Sequence, residues 1–281
     1  MKGRRWLAFL LILCIVGCVR GPGQGDPAGQ VAESHNPWLG RREAEMGRQI
    51  HQAIVSSFRT YTEPKVVGYV SRVGRSIARA AERHDLTYQF TILYDDRVYA
   101  TEAPGGYVYL TTGFLNFLQN EAELAAVLAH EIAELQYRDP SLSVSRRALS
   151  LAAQGGAIAA PLLGPFGTLA AGGLVLLHAF VESRVATPEA RVEKADRLAL
   201  GYLVETNRDP QGYLDFLSRF LNQNPEWTPY CYDYLQSRPV TLKRFQSVLT
   251  EFEKLPLEGR SLTANRTRYL EMTKGVREIY K

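Results

Sequence analysis

The chain has 281 residues, enough for one sizeable domain or two small ones. Hydrophobic residues make up 46% of it and charged residues 22%, which is typical of a globular protein and excludes an intrinsically disordered one. The formal net charge is +4, but three of the 33 basic residues lie among the first five residues, in a segment that is predicted to be removed. The remaining 30 basic residues nearly balance the 29 acidic ones, so we expect no nucleic-acid partner.

Residues 1–17 have the pattern of a lipoprotein signal peptide. Three basic residues among the first five precede the apolar run 6–16, which is too short to span a bilayer comfortably. Small Gly17 stands directly before Cys18, which resembles the lipobox of bacterial lipoproteins. We therefore predict that Cys18 becomes the lipidated first residue of the mature chain. The alternative is an ordinary secretory signal with an incidental cysteine.

Residues 18–37 are rich in Gly and Pro, and they are predicted to form a flexible tether to a domain that spans 38–281. Once Cys14 leaves with the leader and Cys18 carries lipid, Cys231 has no partner for an internal disulfide. A lipidated bacterial protein resides in the cell envelope. The predicted location is the outer membrane, facing the periplasm.

The periodicity of the sequence predicts an α+β, mostly helical fold. Apolar residues recur at helical spacing over 41–58 and 65–83, which predicts two amphipathic helices. The period changes to two over 88–94 and 107–111, which predicts two strands, the second entered through Pro104-Gly105-Gly106. Further helices are predicted at 113–118, 120–138, 187–206, 209–222 and 239–254.

Residues 149–180 form a second unusual segment. Leu151–Phe180 contains no charged residue, yet eight Gly and Pro residues interrupt it, which a single membrane-spanning helix would tolerate poorly. The pattern predicts an apolar helical hairpin with a tight turn at 161–167. Such a hairpin is either buried in the fold or in contact with lipid or a partner.

The helix predicted at 120–138 carries the sequence His130-Glu131-Ile132-Ala133-Glu134. It is one residue short of the H-E-x-x-H motif, in which two histidines bind one zinc ion and the glutamate between them activates a water molecule. His130 and Glu131 match the first ligand and the general base. Glu134 stands where the second histidine is expected.

Several segments in a fixed order resemble the zinc metalloendopeptidase family of the CAAX prenyl proteases and HtpX, in its periplasmic branch with BepA and LoiP. They include Ala103–Tyr109, Glu121–Glu131 and Lys194–Leu200, and the resemblance covers about residues 40–250. It implies a zincin-like metalloprotease fold with a small mixed sheet beside the active-site helix. It also implies zinc as the cofactor and unfolded or envelope polypeptides, including outer-membrane proteins, as partners.

The resemblance assigns roles to further residues. It implies that His130 binds zinc, that Glu131 is the catalytic base and that Asp196 orients a ligand histidine. It further implies that the strand Gly105, Gly106, Tyr107 and Val108 is an edge strand that receives an extended substrate by backbone pairing.

Three positions that the family places at or close to the metal depart from its pattern. Glu134 replaces the second histidine ligand, and Val192 stands where the family has a glutamate as its third ligand. Arg238 precedes Pro239 where the family usually has a His-Pro pair. A catalytic zinc site needs three protein ligands and one open position, so each of these changes bears on activity.

Two alternatives follow from these departures. In one, Glu134 and Glu193 complete an oxygen-rich site with His130, which would hold zinc less tightly and still support peptide cleavage. In the other, no metal binds, Arg238 brings a positive charge toward the place of the metal, and the protein binds polypeptides without cutting them. The sequence favours weakened or lost proteolysis, with a role as a scaffold of an envelope complex as a third option.

Overall fold

The computed structural model describes residues 37–136, 189–221 and 239–280. These ranges contain nine α-helices and three strands. In chain order they are α1 (Pro37–Ser57), α2 (Pro64–Ala78), β1 (Gln89–Leu93), β2 (Ala100–Ala103), β3 (Tyr107–Thr111), α3 (Thr112–Phe117), α4 (Glu121–Gln136), α5 (Glu189–Glu205), α6 (Gln211–Leu221), α7 (Leu242–Phe252), α8 (Arg266–Met272) and α9 (Lys274–Glu278). The predicted α+β, mostly helical fold with a small mixed sheet is confirmed.

The three strands form one mixed sheet in the order β1-β3-β2. β1 runs parallel to β3, with Phe90 opposite Val108, and β2 runs antiparallel to β3. The turn between β2 and β3 contains Gly105 and Gly106, whose φ angles of 78° and 90° lie in the region that glycine adopts most easily. A side chain at Gly106 would also come within 2.8 Å of the carbonyl oxygen of Thr87. The turn therefore requires glycine for both reasons.

β3 is the central strand of the sheet and not an edge strand. The prediction that Gly105, Gly106, Tyr107 and Val108 form the edge that receives a substrate is therefore wrong. β1 and β2 lie on the two sides of β3 and pair with its backbone. A strand that is paired on both sides has no row of backbone donors and acceptors left for a third chain.

Both faces of the sheet are covered by helices. Tyr107 and Tyr109 of β3 pack with Ile50 of α1 on one face. Val108 and Leu110 belong to the main core, which includes α2 and α4, on the other face. Successive residues of a strand point to opposite faces, so all five residues of β3 are buried.

α4 is the central helix of the fold. All 16 of its residues are buried, and it packs against α2, α5, α6 and β2. Polar side chains on such a helix need partners within the protein. Near its N-terminus, Glu121 accepts a hydrogen bond from Tyr69 at 2.9 Å, and Glu123 forms a two-point pair with Arg219 at 2.7 and 2.5 Å. The same requirement applies to the polar residues of the His130 motif further along the helix.

No helix within the described ranges is long and apolar enough to cross a membrane. The apolar hairpin predicted at 149–180 lies outside the described residues, as do the predicted signal peptide, the predicted lipidation site Cys18 and all but the last residue of the predicted tether.

The contact of α1 with the turn between β2 and β3 can be tested by adding one methyl group. A Cβ at Gly47 would overlap the carbonyl oxygen of Pro104 and lie 2.7 Å from its carbonyl carbon. We expect Gly47→Ala to lower the free energy of unfolding by about 1–3 kcal/mol, the usual cost of overpacking. Urea unfolding followed by circular dichroism measures this change.

Gly201→Ala is the matched control, because a Cβ at Gly201 in α5 meets nothing within 4 Å. It should raise the free energy of unfolding by up to about 1 kcal/mol through helix propensity alone. If the two alanine variants were equally stable, the close approach of α1 to the turn would be contradicted.

Candidate active site

The polar residues of the motif lie deep in the fold. The exposed fraction of His130 is 1%, and Glu131 and Glu134 have none. His130 and Glu134 are four residues apart and share one face of α4, with His130 Nε2 at 3.6 Å from Glu134 Oε1. This distance is too long for a hydrogen bond, but it allows attraction between a protonated imidazole and a carboxylate.

α5 brings Asp196 to His130. The two helices α4 and α5 pack on each other, and both carry fully buried alanines such as Ala129 and Ala195, whose small side chains allow a close approach. Asp196 Oδ1 lies 2.8 Å from His130 Nδ1. This contact orients the ring so that its other nitrogen, Nε2, is directed toward Glu134. The structure thus brings the predicted residue Asp196 into direct contact with the histidine of the motif.

Two residues that were not predicted from the sequence complete the environment of Asp196. Arg244 of α7 pairs with both carboxylate oxygens, at 2.8 Å from Nε and 2.9 Å from Nη2. Tyr213 of α6 donates a hydrogen bond to Asp196 Oδ1 at 2.5 Å and accepts one from Arg244 Nη2 at 3.2 Å. Because arginine is rarely buried, the occurrence of Arg244 in an amphipathic helix did not indicate that it pairs with Asp196 in the core.

The pKa values of Asp196 and His130 shift in opposite directions. Burial alone would raise the pKa of Asp196, but the charge of Arg244 and the contact with His130 lower it well below its ordinary range. Burial alone would lower the pKa of His130, but the hydrogen bond with Asp196 and the nearby Glu134 raise it. Both shifts favour an ion pair between an ionised Asp196 and a protonated His130.

The described residues supply two of the three donors that a catalytic zinc ion needs. His130 Nε2 and Glu134 Oε1 are 3.6 Å apart, a separation that two ligands of one zinc ion can have. Val192, at the third position, is buried and has no donor atom. Within 37–136, 189–221 and 239–280, no group of three His, Cys, Asp or Glu side chains is arranged to hold a metal ion. These residues therefore do not fit the zinc centre that the resemblance implies.

Glu193, the predicted substitute ligand, does not join this group. It is partly exposed, and its charge acts on Lys243, whose pKa is raised by a hydrogen bond with Glu189 and, to a smaller degree, by Glu193. Successive residues of a helix are rotated by about 100°, so Glu193 cannot share the direction of Val192. The predicted set of ligands is not formed by the described residues.

Arg238, the predicted source of positive charge, lies outside the described residues. The structure brings two other arginines to the site, and neither was predicted. Arg244 pairs with Asp196, and Arg191 donates a hydrogen bond to the backbone oxygen of Glu134 at 3.1 Å. Among the described residues, these two arginines bring positive charge near the motif.

The glycine-rich turn before β3 is held by α1. The backbone N–H of Gly105 donates to Glu43 Oε1 at 3.3 Å, and Glu43 pairs with Arg83 at 2.8 Å. Glu43 is 2% exposed. The turn thus serves to fix α1 on the sheet, which is a structural role.

Fold and site together define a metallopeptidase-like domain, with a His-Glu pair on a buried helix, an aspartate behind the histidine and a small mixed sheet nearby. The model of peptidase family M48 matches residues 64–251. The chain belongs to this family, and the predicted likeness to its BepA branch is confirmed. Members of family M48 are generally zinc-dependent.

Three relatives illustrate the range of similarity. The β-barrel assembly-enhancing protease of Vibrio cholerae is 25% identical over 224 residues, which are 76% of this chain and 46% of that protein. Its counterpart in Escherichia coli K12 is 25% identical over 194 residues, 65% of this chain and 38% of the relative. Mitochondrial metalloendopeptidase OMA1 of Schizosaccharomyces pombe is 32% identical over 94 residues, 32% of this chain and 28% of the relative. The chain thus spans less than half the length of each relative.

We expect His130 and His51 to titrate on opposite sides of the ordinary value of 6.5. Asp196 and Glu134 raise the pKa of His130, whereas burial lowers the pKa of His51, whose ring stacks on Tyr107 at 4.6 Å between centroids. Long-range proton–nitrogen NMR in EDTA measures both pKa values, with His130→Gln and His51→Gln as assignment controls.

The sign of the linked stability change follows from the raised pKa of His130. The stability that protonated His130 contributes is fully present below its unfolded-state pKa of about 6.5. It is lost as the pH rises through the folded-state pKa. The free energy of unfolding of the native protein should therefore fall over this pH interval more than that of His130→Gln. Identical pKa values for His130 and His51 would contradict the prediction.

Breaking the Asp196–Arg244 pair should cost far more than breaking a surface pair. Arg244→Leu leaves the carboxylate of Asp196 buried without its main partner, and we expect a loss of about 3–5 kcal/mol in the free energy of unfolding. Lys243→Leu is the matched control, because its pair with Glu189 has side chains that are 70% and 64% exposed. Urea unfolding should show little change for this control, because solvent screens an exposed ion pair. Equal losses of unfolding free energy in the two variants would contradict the prediction that the buried Asp196–Arg244 pair matters more than a surface pair.

Proposed function

We propose that this chain is a lipid-anchored protein of the bacterial cell envelope that binds unfolded or outer-membrane polypeptides without efficient proteolysis. In this proposal, residues 1–17 are the signal peptide and Cys18 carries the lipid. Residues 18–37 tether the domain 38–281 to the outer membrane on its periplasmic side. No nucleic acid takes part.

The proposal rests on one observation, namely which donor atoms are present at the three positions that would bind the metal ion. His130 keeps its donor, Glu134 offers an oxygen in place of a nitrogen, and Val192 offers no donor. A catalytic zinc ion needs three protein ligands. Glu131 is a base for hydrolysis only when a metal ion acidifies the water beside it, so weak metal binding removes its catalytic use.

The remainder of the site supports a domain that folds without a metal ion. Asp196 is compensated by Arg244 and by His130, and Tyr213 donates a further hydrogen bond to it. Buried charges that are paired and hydrogen-bonded are compatible with a stable core. A metallopeptidase domain with these pairs can keep its fold when it no longer cleaves peptide bonds.

The proposed partners follow from the relatives and from the N-terminal pattern. Two relatives are named for enhancing β-barrel assembly. Transmembrane β-barrels are characteristic of outer membranes, where the predicted lipid anchor would also hold this chain. Together these features support outer-membrane polypeptides as partners, in their assembly or quality control.

The alternative is an active zinc metalloendopeptidase with an atypical His/Glu/Glu site. The 3.6 Å separation between His130 Nε2 and Glu134 Oε1 favours it, because both atoms could bind one ion. It needs a third donor, which the described residues do not provide.

Metal content, cleavage and binding, measured on one preparation of the mature chain, separate these functions. We expect substoichiometric zinc by elemental analysis of tag-free protein purified without chelators, and no cleavage of casein. A fluorescence-anisotropy titration should show binding of an unfolded β-barrel polypeptide. Glu131→Gln preserves the size of the side chain and removes the base, and it should leave this binding unchanged.

One equivalent of zinc, together with casein cleavage that Glu131→Gln abolishes, would establish the peptidase instead. A chain that neither cleaves casein nor binds the β-barrel polypeptide would contradict both functions, and a scaffold role would remain.

A further inference from the structure

Arg191 lies between two elements of the site. It precedes Val192 on α5, and its side chain is 23% exposed. Its Nη2 atom is 3.8 Å from Glu102 Oε1 and 3.9 Å from Glu134 Oε2. The same atom donates a hydrogen bond to the backbone oxygen of Glu134 at 3.1 Å. One guanidinium nitrogen therefore faces carboxylates from both β2 and α4.

Both of these carboxylates need a positive charge nearby. Glu102 and Glu134 have no exposed surface. An ionised carboxylate in such a place is stable when it is paired with a cation or bound to a metal ion. Because the Nη2 atom of Arg191 is within 4 Å of both side chains, an ion in the place of that atom would face the same two carboxylates.

The other arginine of the site, Arg244, pairs with a different carboxylate. Arg244 is directed at Asp196 through two nitrogens, and Asp196 in turn contacts His130. Arg191 approaches from the opposite end of the motif, next to Glu134. Arg244 thus pairs with Asp196, whereas Arg191 lies beside Glu102 and Glu134.

We propose that the guanidinium of Arg191 is a built-in substitute for a metal ion. It supplies, between β2, α4 and α5, the positive charge that a divalent cation would otherwise supply, and it keeps such cations away from Glu134. Arginine suits this role because its charge is permanent and its several N–H donors can serve more than one acceptor. The inference rests on the proposed function, in which the native chain does not hold a stoichiometric metal ion.

Removing the charge of Arg191 should open a cation site. In Arg191→Gln, the carboxylates of Glu102 and Glu134 would lose the cation that they share, and an added divalent ion in its place would face both of them. We expect this variant to unfold at lower urea concentration than the native chain in EDTA, and to regain stability when zinc is added. Its affinity for zinc, measured by equilibrium dialysis, should exceed that of the native chain by at least about tenfold.

Two variants control for other effects. Arg197→Gln removes an arginine of the same helix whose side chain is 65% exposed, and it should behave as the native chain does in both assays. Arg191→Lys retains the positive charge, and it should stay closer to the native chain than Arg191→Gln in stability and in zinc affinity. If Arg191→Gln fails to fold, Arg191→Lys still tests whether charge is what matters.

The outcomes separate the inference from the proposed function. An Arg191→Gln chain that binds zinc no tighter than the native chain, or an Arg191→Lys chain as impaired as Arg191→Gln, would overturn the role of Arg191 and leave the proposed function standing. A native chain that already carries one equivalent of zinc with Arg191 in place would overturn both. Zinc-dependent recovery confined to Arg191→Gln would support the inference.

Discussion

The buried carboxylate of Asp196 is the constraint on which the rest of the site depends. A carboxylate in the core is tolerated when its charge is compensated and its oxygens accept hydrogen bonds. Arg244, His130 and Tyr213 meet both conditions, at distances of 2.8, 2.8 and 2.5 Å. Each partner comes from a different helix, so one side chain of α5 fixes the positions of α4, α6 and α7 around it.

This arrangement explains how a metallopeptidase domain can keep its form when its ligands change. In a zinc site, an aspartate commonly holds one nitrogen of a histidine while the metal binds the other. Here the contact between Asp196 and His130 is kept, and Arg244 compensates Asp196 without any help from a metal ion. The packing of the helices therefore does not depend on Val192 or Glu134 acting as ligands.

Periodicity predicted most of the fold, whereas the site depends on contacts that no local pattern contains. The helix predicted at 120–138 is observed as Glu121–Gln136, because its apolar residues recur at helical spacing. β2 was missed because its four residues are all buried and do not alternate, and the edge of the sheet was misplaced as a result. Arg191 and Arg244 were missed because their partners lie 57 and 48 positions away in the sequence. Only the packing of the helices brings these residues together.

A divalent metal ion and an arginine can each stabilise buried carboxylates by positive charge. The two cations repel each other, so one hinders the binding of the other. Two unit charges 4 Å apart interact by about 4 kcal/mol at an effective dielectric constant of about 20, and a divalent ion doubles this value. While Arg191 remains 3.9 Å from Glu134, a divalent ion bound to Glu134 would lie close to a second positive charge and would be repelled by it. Restoring a histidine at Glu134 and a glutamate at Val192 would therefore not rebuild a zinc site by itself. In the proposed function, the charge of Arg191 therefore opposes zinc binding in addition to the missing ligands.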